Sequence, residues 1–351
     1  MTAYNAGVTF ERLPETVQTL YAELLDQSIQ ARAETEGMPE AGSFVSKQIR
    51  GRTYWYLQRL EGQRKRQIYL GAESASLLRW ISDVGERRKR IEPDTARRRE
   101  LVSMLISGGT PAPGPSIAQV IQILADAKLF EVGAMLVGTQ AFGSYGNMLG
   151  VRLEGAHQRT EDIDIAHDPV VELSIAEQFA RTDLLEKLRE AEPRFFAVPA
   201  LDPRRPSTSF KIRGRDLRVD FLTPGREGGS AVELPSFEAA AVPLPHLDYL
   251  MEQPEQTVIL TGSGVLVEVP SPARFALHKL WASRQRPISE RTKARKDVAQ
   301  ASFLLEILLE DDLQELSNAW EATRYRRGMR KGIRAALESV HEAISKRIRS
   351  L

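Results

Sequence analysis

A glycine turn followed by two aspartates one residue apart constrains this chain more than any other stretch. Ala134 to Val137 is a short apolar run stopped by Gly138, the pattern of a buried strand meeting a tight turn. Thr139 is expected to cap a short helix, Gln140 to Leu149, leaving free backbone N–H groups at its start to meet an anion. Asp162-Ile-Asp-Ile165 then alternates. A strand that buries Ile163 and Ile165 projects Asp162 and Asp164 together from its other face.

Like charges at that spacing repel, and a divalent cation between them relieves the repulsion. Leu217-Arg-Val-Asp-Phe-Leu222 alternates in the same way, with Val219 and Phe221 on one face and Asp220 on the other. If the two strands pair, Asp162, Asp164 and Asp220 surround one or two Mg2+ (or Mn2+) ions. An isolated D-x-D also marks solvated strand ends, so the weight rests on the preceding strand–Gly-Thr–helix and on the later Asp220. Three carboxylates, two metals and a phosphate-accepting glycine turn meet the needs of nucleotidyl transfer from a nucleoside triphosphate (NTP). Arg218 shares the parity of Asp220 and either binds triphosphate or pairs with a carboxylate. Glu161 has the opposite parity and belongs to the surface.

Gly138-Thr139, Asp162-x-Asp164 and a lone Asp220 on a later strand together resemble the DNA polymerase β-type nucleotidyltransferase superfamily. The Thr160-Glu-Asp-Ile-Asp form is similar to the branch that includes the AbiEii-type abortive-infection toxins. That branch has a Lys in a helix after the core and a later Lys-Asp pair. Pro272-Ala-Arg-Phe-Ala-Leu-His-Lys279-Leu-Trp and Lys293-Ala-Arg-Lys-Asp297 stand in those places. The resemblance spans about residues 115 to 310. It implies that Asp162 and Asp164 bind both metals and that Asp220 binds the metal that activates an acceptor hydroxyl. Gly138 and Thr139 would cradle the β- and γ-phosphates, and Lys279 would carry the charge of the leaving group. The bland alternative for Lys279, in an apolar helix, is a side chain that snorkels to the surface. Asp297 either orients Lys279 or Lys296, or caps the helix that begins at Val298. An RNA (a tRNA end) or a protein is the favoured acceptor. The resemblance also implies a toxin or phage-defence role with a cognate antitoxin as partner. The alternative, from a different class, is a catalytically inactive nucleotidyltransferase-fold protein that binds nucleic acid or a partner.

The fold expected is α+β: a polymerase β-like core, a mixed sheet with flanking helices, between two further regions. Gly108-Gly-Thr-Pro-Ala-Pro-Gly-Pro115 is the clearest linker. Residues 1–110 are expected to form a helix, a β-hairpin and a second helix, residues 115–270 the core, and residues 271–351 a helical domain. In the first region the helix covers 14 to 35, the hairpin joins Thr53–Gln58 to Arg66–Leu70, and the second helix runs from Ser74 to about Ile106. The hairpin mixes Tyr54, Trp55 and Tyr56 with Arg50, Arg52, Lys65 and Arg66. It either offers a stacking and phosphate-binding surface to nucleic acid or packs its aromatics on a neighbouring helix. Ser116 is expected to cap a helix to about Leu129, and a further helix spans about Ser174 to Glu190. Ser271 caps a helix opened by Pro272, and Arg284 to Lys296 is expected to be a loop or a frayed helix start.

Several classes are excluded. The chain has no cysteine, so disulfides, thiol nucleophiles and cysteine-ligated zinc are ruled out. The five histidines show no metal-ligand spacing, and no P-loop, G-x-G-x-x-G, G-x-S-x-G or H-E-x-x-H occurs. A formal charge of +1 does not support a uniformly basic coat, although basic runs such as Arg87–Arg90 are local exceptions. With no apolar run near ~20 residues and no signal-peptide pattern, the expectation is a cytoplasmic protein with no membrane partner.

Overall fold

The computed structural model of the chain describes residues 10–351, apart from 36–37, 39–41, 62–63, 154–160, 169–182, 201 and 203. Helix α1 (Glu15–Thr35) buries Val17, Tyr21 and Leu24, a helical stripe, as its spacing predicts. Strands β1 (Ser43–Ile49), β2 (Arg52–Glu61) and β3 (Arg64–Ala72) follow as an antiparallel sheet in the order β1-β2-β3. The expected hairpin is therefore two strands of three. The additional strand is joined through Arg50 and Gly51, both left-handed at φ 50° and 80°. Two positive φ values in a two-residue loop match the twist of a hairpin, but Arg-Gly is not one of the usual sequence signals for it. Helix α2 (Ala75–Ser107), capped by Ser74, packs Leu101, Val102 and Leu105 against α1. The same cluster takes in Val258, Leu260 and Leu266. At that contact Tyr21 Oη lies 2.7 Å from Thr257 Oγ1.

After the proline-rich stretch, α3 (Pro115–Asp126) begins one residue before the expected cap. Pro115 takes the first helical position, which suits its fixed φ, and Gly114 is the N-cap. Ser116 is thus inside the helix and accepts a hydrogen bond from Arg215 Nη1 at 3.2 Å. Strand β4 (Met135–Val137), helix α4 (Gly138–Met148) and strand β5 (Asp162–Ala166) come next. Of the helix expected from Ser174 to Glu190, residues 174–182 lie outside the described residues; Leu184–Ala191 is helical. Strands β6 (Phe195–Ala197), β7 (Ser209–Ile212), β8 (Arg218–Pro224), β9 (Val232–Leu234), β10 (Ala239–Leu244), β11 (Pro254–Ile259) and β12 (Val265–Pro270) complete the sheet.

The main path of the sheet runs β11-β12-β4-β5-β8-β10-β9. Strand β8 pairs along one side with β5, in parallel. Its other side is divided: β7 takes Arg218 to Asp220 and β10 takes Leu222 to Pro224. Parallel and antiparallel pairs mix, and helices flank the sheet, which is an α+β architecture.

The helices Pro272–Gln285, Arg291–Asp311, Leu313–Ala322, Met329–Ala336 and Glu342–Arg349 close the chain. Ser271 accepts from Arg274 N and caps the first of them, as expected. Of the two alternatives for Arg284 to Lys296, a loop or a frayed helix start, the structure has a helix that begins at Arg291. One apolar cluster reaches from Ile117 in α3 through the sheet to Ile348. Phe142 of α4 stacks on Phe275 with ring centroids 6.2 Å apart and meets Phe303 edge-on at 6.3 Å. Tyr145 meets Phe275 at 5.1 Å, and its hydroxyl donates to Pro270 O. Truncating an aromatic in such a place costs about 3–5 kcal/mol, so this seam fixes α4 against the lysine-bearing helix Pro272–Gln285.

Candidate active site

Strand alternation decides where the carboxylates go. Ile163, Ile165, Val219 and Phe221 are completely buried beneath the sheet. Asp162 is exposed, and Asp164 and Asp220 are half-buried on the opposite face. The parallel register sets Asp162 beside Arg218 and Asp164 beside Asp220. Neighbouring strands are about 4.8 Å apart, so the last two carboxylates stand side by side.

The start of α4 lies against the same place. Gly138 has φ +66°, and a Cβ built there would stand 2.1 Å from Asp164 Oδ2. A glycine is required twice over, by its left-handed backbone and by the closeness of the carboxylate. Because Gly138 already belongs to the helix, Thr139 is not its cap; Val137 is, and no side chain caps it. The Thr139 hydroxyl instead accepts a hydrogen bond from Lys296 Nζ at 2.9 Å. Gln140 Nε2 donates to Asp162 O at 3.1 Å, tying α4 to β5.

Cations gather around these acids. Arg218 Nε donates to Asp220 Oδ1 at 2.6 Å and to Ser209 Oγ at 3.0 Å, so of its two expected partners it holds the carboxylate. Lys279 donates to Asp297 Oδ1 at 2.8 Å, and Arg286 Nε donates to Asp297 Oδ2 at 3.0 Å. Asp297 is buried at 2% exposure within the helix Arg291–Asp311. It is therefore not a cap; it holds Lys279. Arg286 also donates to Glu290 Oε2 at 3.1 Å, so Asp297 is the carboxylate that holds Lys279. Lys296, adjacent in sequence, adds a further cation, and burial first and Lys279 second lower its pKa. The sequence suggests Lys296 only as a partner of Asp297, because it does not fix where the helix begins. His278 is pushed down to about 3, by burial and then by Lys279, and packs against Trp281. It is neutral and part of the packing.

The electrostatics fit a bound dication. Asp164 is pushed up to about 6, chiefly by burial and next by Asp220; Lys279 and Arg218 pull the other way without cancelling this. Among the described residues no three His, Cys, Asp or Glu side chains converge as a ready cage. The donor chemistry nonetheless suits a hard ion such as Mg2+ or Mn2+: carboxylate oxygens only, two of them on neighbouring strands. A cleft of about 240 Å³ opens beside the site, lined by Thr139, Gln140 and Glu161 at one end and Ile117, Ile121 and Ile259 at the other.

A mixed sheet whose neighbouring strands bring two acidic side chains to the glycine-started end of a helix, with lysines at hand, is an arrangement whose chemistry suits a divalent ion and a phosphate. A family model described as Nucleotidyltransferase matches residues 116–324, more than half of the chain, and the chain belongs to that family. The matched range contains all the residues just described. Residues 10–79, which hold α1 and the three-stranded sheet, match a domain of unknown function, DUF6788. No curated protein matches the chain. Among the described residues no helix is long and apolar enough to cross a membrane.

Proposed function

We propose that this chain transfers a nucleoside monophosphate from an NTP to an acceptor hydroxyl, with Mg2+ or Mn2+ held by Asp162, Asp164 and Asp220. The observation that carries the reading is the pairing of Asp164 with Asp220 against Gly138, with Lys279 and Lys296 close enough to feel those charges. When bound, the metal neutralises phosphate charge and acidifies the acceptor hydroxyl. The chain's own groups do the rest. Backbone N–H groups at Gly138 and Thr139 receive the β- and γ-phosphates at the helix start. The acceptor oxygen bonds to the α-phosphorus as the bond to the bridging oxygen breaks, pyrophosphate leaves, and the hydroxyl proton passes to Asp220. Lys279, oriented by Asp297, and Lys296, beside Thr139, stabilise the negative charge that builds on the leaving group.

The acceptor is RNA, with protein as the other favoured candidate, and the chain sits in the AbiEii-like branch as a toxin or phage-defence enzyme. A second reading, a non-catalytic module that binds nucleic acid or a partner, is favoured by one observation: Arg218 already occupies an oxygen of Asp220. One experiment separates them. The protein is incubated with Mg2+ or Mn2+, each α-labelled NTP and total cellular RNA plus lysate, beside an Asp162→Asn/Asp164→Asn control. Label that moves to RNA or protein, and stays on the nucleotide in the control, supports transfer. No transfer with any nucleotide, together with no metal-dependent nucleotide binding by calorimetry, rejects it.

A further inference from the structure

The three-stranded sheet has two unlike faces. One carries Phe44 and Leu57 and is directed at α2, where Phe44 meets Trp80 edge-on at 5.5 Å and Leu57 is 4% exposed. The register puts Val45, Tyr56 and Tyr69 in one row of the other face, and Lys47 and Tyr54 in the next. There Tyr69 is 57% exposed, with its ring 5.5 Å from Tyr56 and 6.2 Å from Tyr54. Lys47 Nζ lies over the Tyr56 ring at 4.9 Å, and Gln67 donates to Gln58 in the adjoining row. Lys47, Arg52 and Lys65 are all exposed.

Charge is concentrated in this element. Residues 43–72 contain seven Lys or Arg against one Glu, while the whole chain carries a formal +1. A sheet face that only needed solvation would not cluster three tyrosines on its open side. A face that bound an apolar partner would not rim them with cations. One exposed ring, Tyr69, flanked by the part-exposed rings of Tyr54 and Tyr56 and within reach of cations that accept phosphates, is what a single strand of nucleic acid needs for stacking. The cleft beyond the Gln58 and Lys65 end has two of its cations, Lys128 and Lys187, paired with Glu131 and Glu190.

We propose that the Tyr54–Tyr56–Tyr69 face is a stacking platform for single-stranded RNA. The choice of RNA over DNA rests on the reading of the active site as one that uses an RNA hydroxyl. Stacking and cationic contact rest on this face alone.

The test is fluorescence anisotropy on the full chain, in EDTA without nucleotide, so that transfer plays no part. The probes are a labelled 12-nucleotide single-stranded RNA, its duplex and a DNA of the same sequence. Wild-type protein is expected to bind the single-stranded RNA more tightly than the duplex, with affinity that falls as salt rises. Tyr56→Ala/Tyr69→Ala should weaken binding about tenfold or more, with circular dichroism unchanged, while Tyr56→Phe/Tyr69→Phe retains it. Lys47→Ala/Arg52→Ala should flatten the salt dependence by about 0.7 of a unit of slope per cation lost. Equal binding by the alanine pair and wild type, preference for the duplex, or no binding at all would overturn the platform. Tighter binding of the DNA would overturn the assignment to RNA and leave stacking in place. Failure of nucleotidyl transfer would not alter any of these readings.

Discussion

Asp164 Oδ2 and the Cα of Gly138 are so close that no side chain fits between the strand and the helix start: even a methyl carbon would lie 2.1 Å from the oxygen. Gly138→Ala therefore leaves two ways out. The left-handed backbone adds roughly 1–2 kcal/mol of strain, and the carboxylate must rotate away. Rotation spares the fold and moves an oxygen that the proposed reading gives to the metal. The expected result is a well-folded protein, by circular dichroism, whose label transfer falls by about a hundredfold or more. Transfer at the wild-type rate would mean that Asp164 works from another position.

Asp297 holds two cations at once. Asp297→Asn should leave Lys279 without its countercharge, Arg286 keeping Glu290, and cost about 3 kcal/mol or more in urea unfolding, as removal of one partner of a buried pair does. Lys279→Met, which keeps an unbranched apolar side chain in place of an ammonium that lies over Phe275 at 5.3 Å, should lose less stability and more activity. Comparing unfolding with kcat for the two variants separates the positioning role from the charge itself.

Metal should stabilise the wild-type protein and not the variants. A ligand at a hundred times its Kd adds about 2.7 kcal/mol to a fold that alone binds it. Thermal midpoints are expected to rise with Mg2+ or Mn2+ in the wild type, return on chelation, and stay unmoved in Asp164→Asn.

A pH effect is built in away from the site. Burial, then Glu315 and Asp312, push Glu255 up to about 7 from 4.5. The folded state thus holds a proton that the unfolded state has released over that interval. Stability is fully present below pH 4.5 and is lost as pH rises towards and through 7. Glu255→Gln should flatten this loss, and the difference in midpoint between variant and wild type should be larger at pH 8 than at pH 5.

The part of this that the sequence disclosed is the part that follows from strand alternation. Asp162, Asp164 and Asp220 alternate with residues that must be buried, so their common face was legible before any coordinates. Tertiary approach was not. Thr139 reads as a cap because nothing local says that Gly138, left-handed, already starts the helix. Lys296 was hidden because the helix Arg291–Asp311 begins after Glu290 with no side-chain cap to announce it. Nor does Asp297 disclose its two cations, since Lys279 and Arg286 lie 18 and 11 positions away. The strand β1 escaped notice because its link, Arg50-Gly51, uses positive φ at a residue that rarely signals it.

The apolar cluster that begins in α3 does not stop where the family match stops. Met329, Ile333, Leu337 and Ile348 are buried in it, all beyond residue 324. A fragment trimmed to the matched range would bare the surfaces those four side chains cover, next to Trp320 and the helices that hold Lys279 and Asp297. The other boundary behaves the same way, because α1 and α2 cover Val258, Leu260 and Leu266 of the sheet, so a minimal piece that keeps the site packed must retain both flanks.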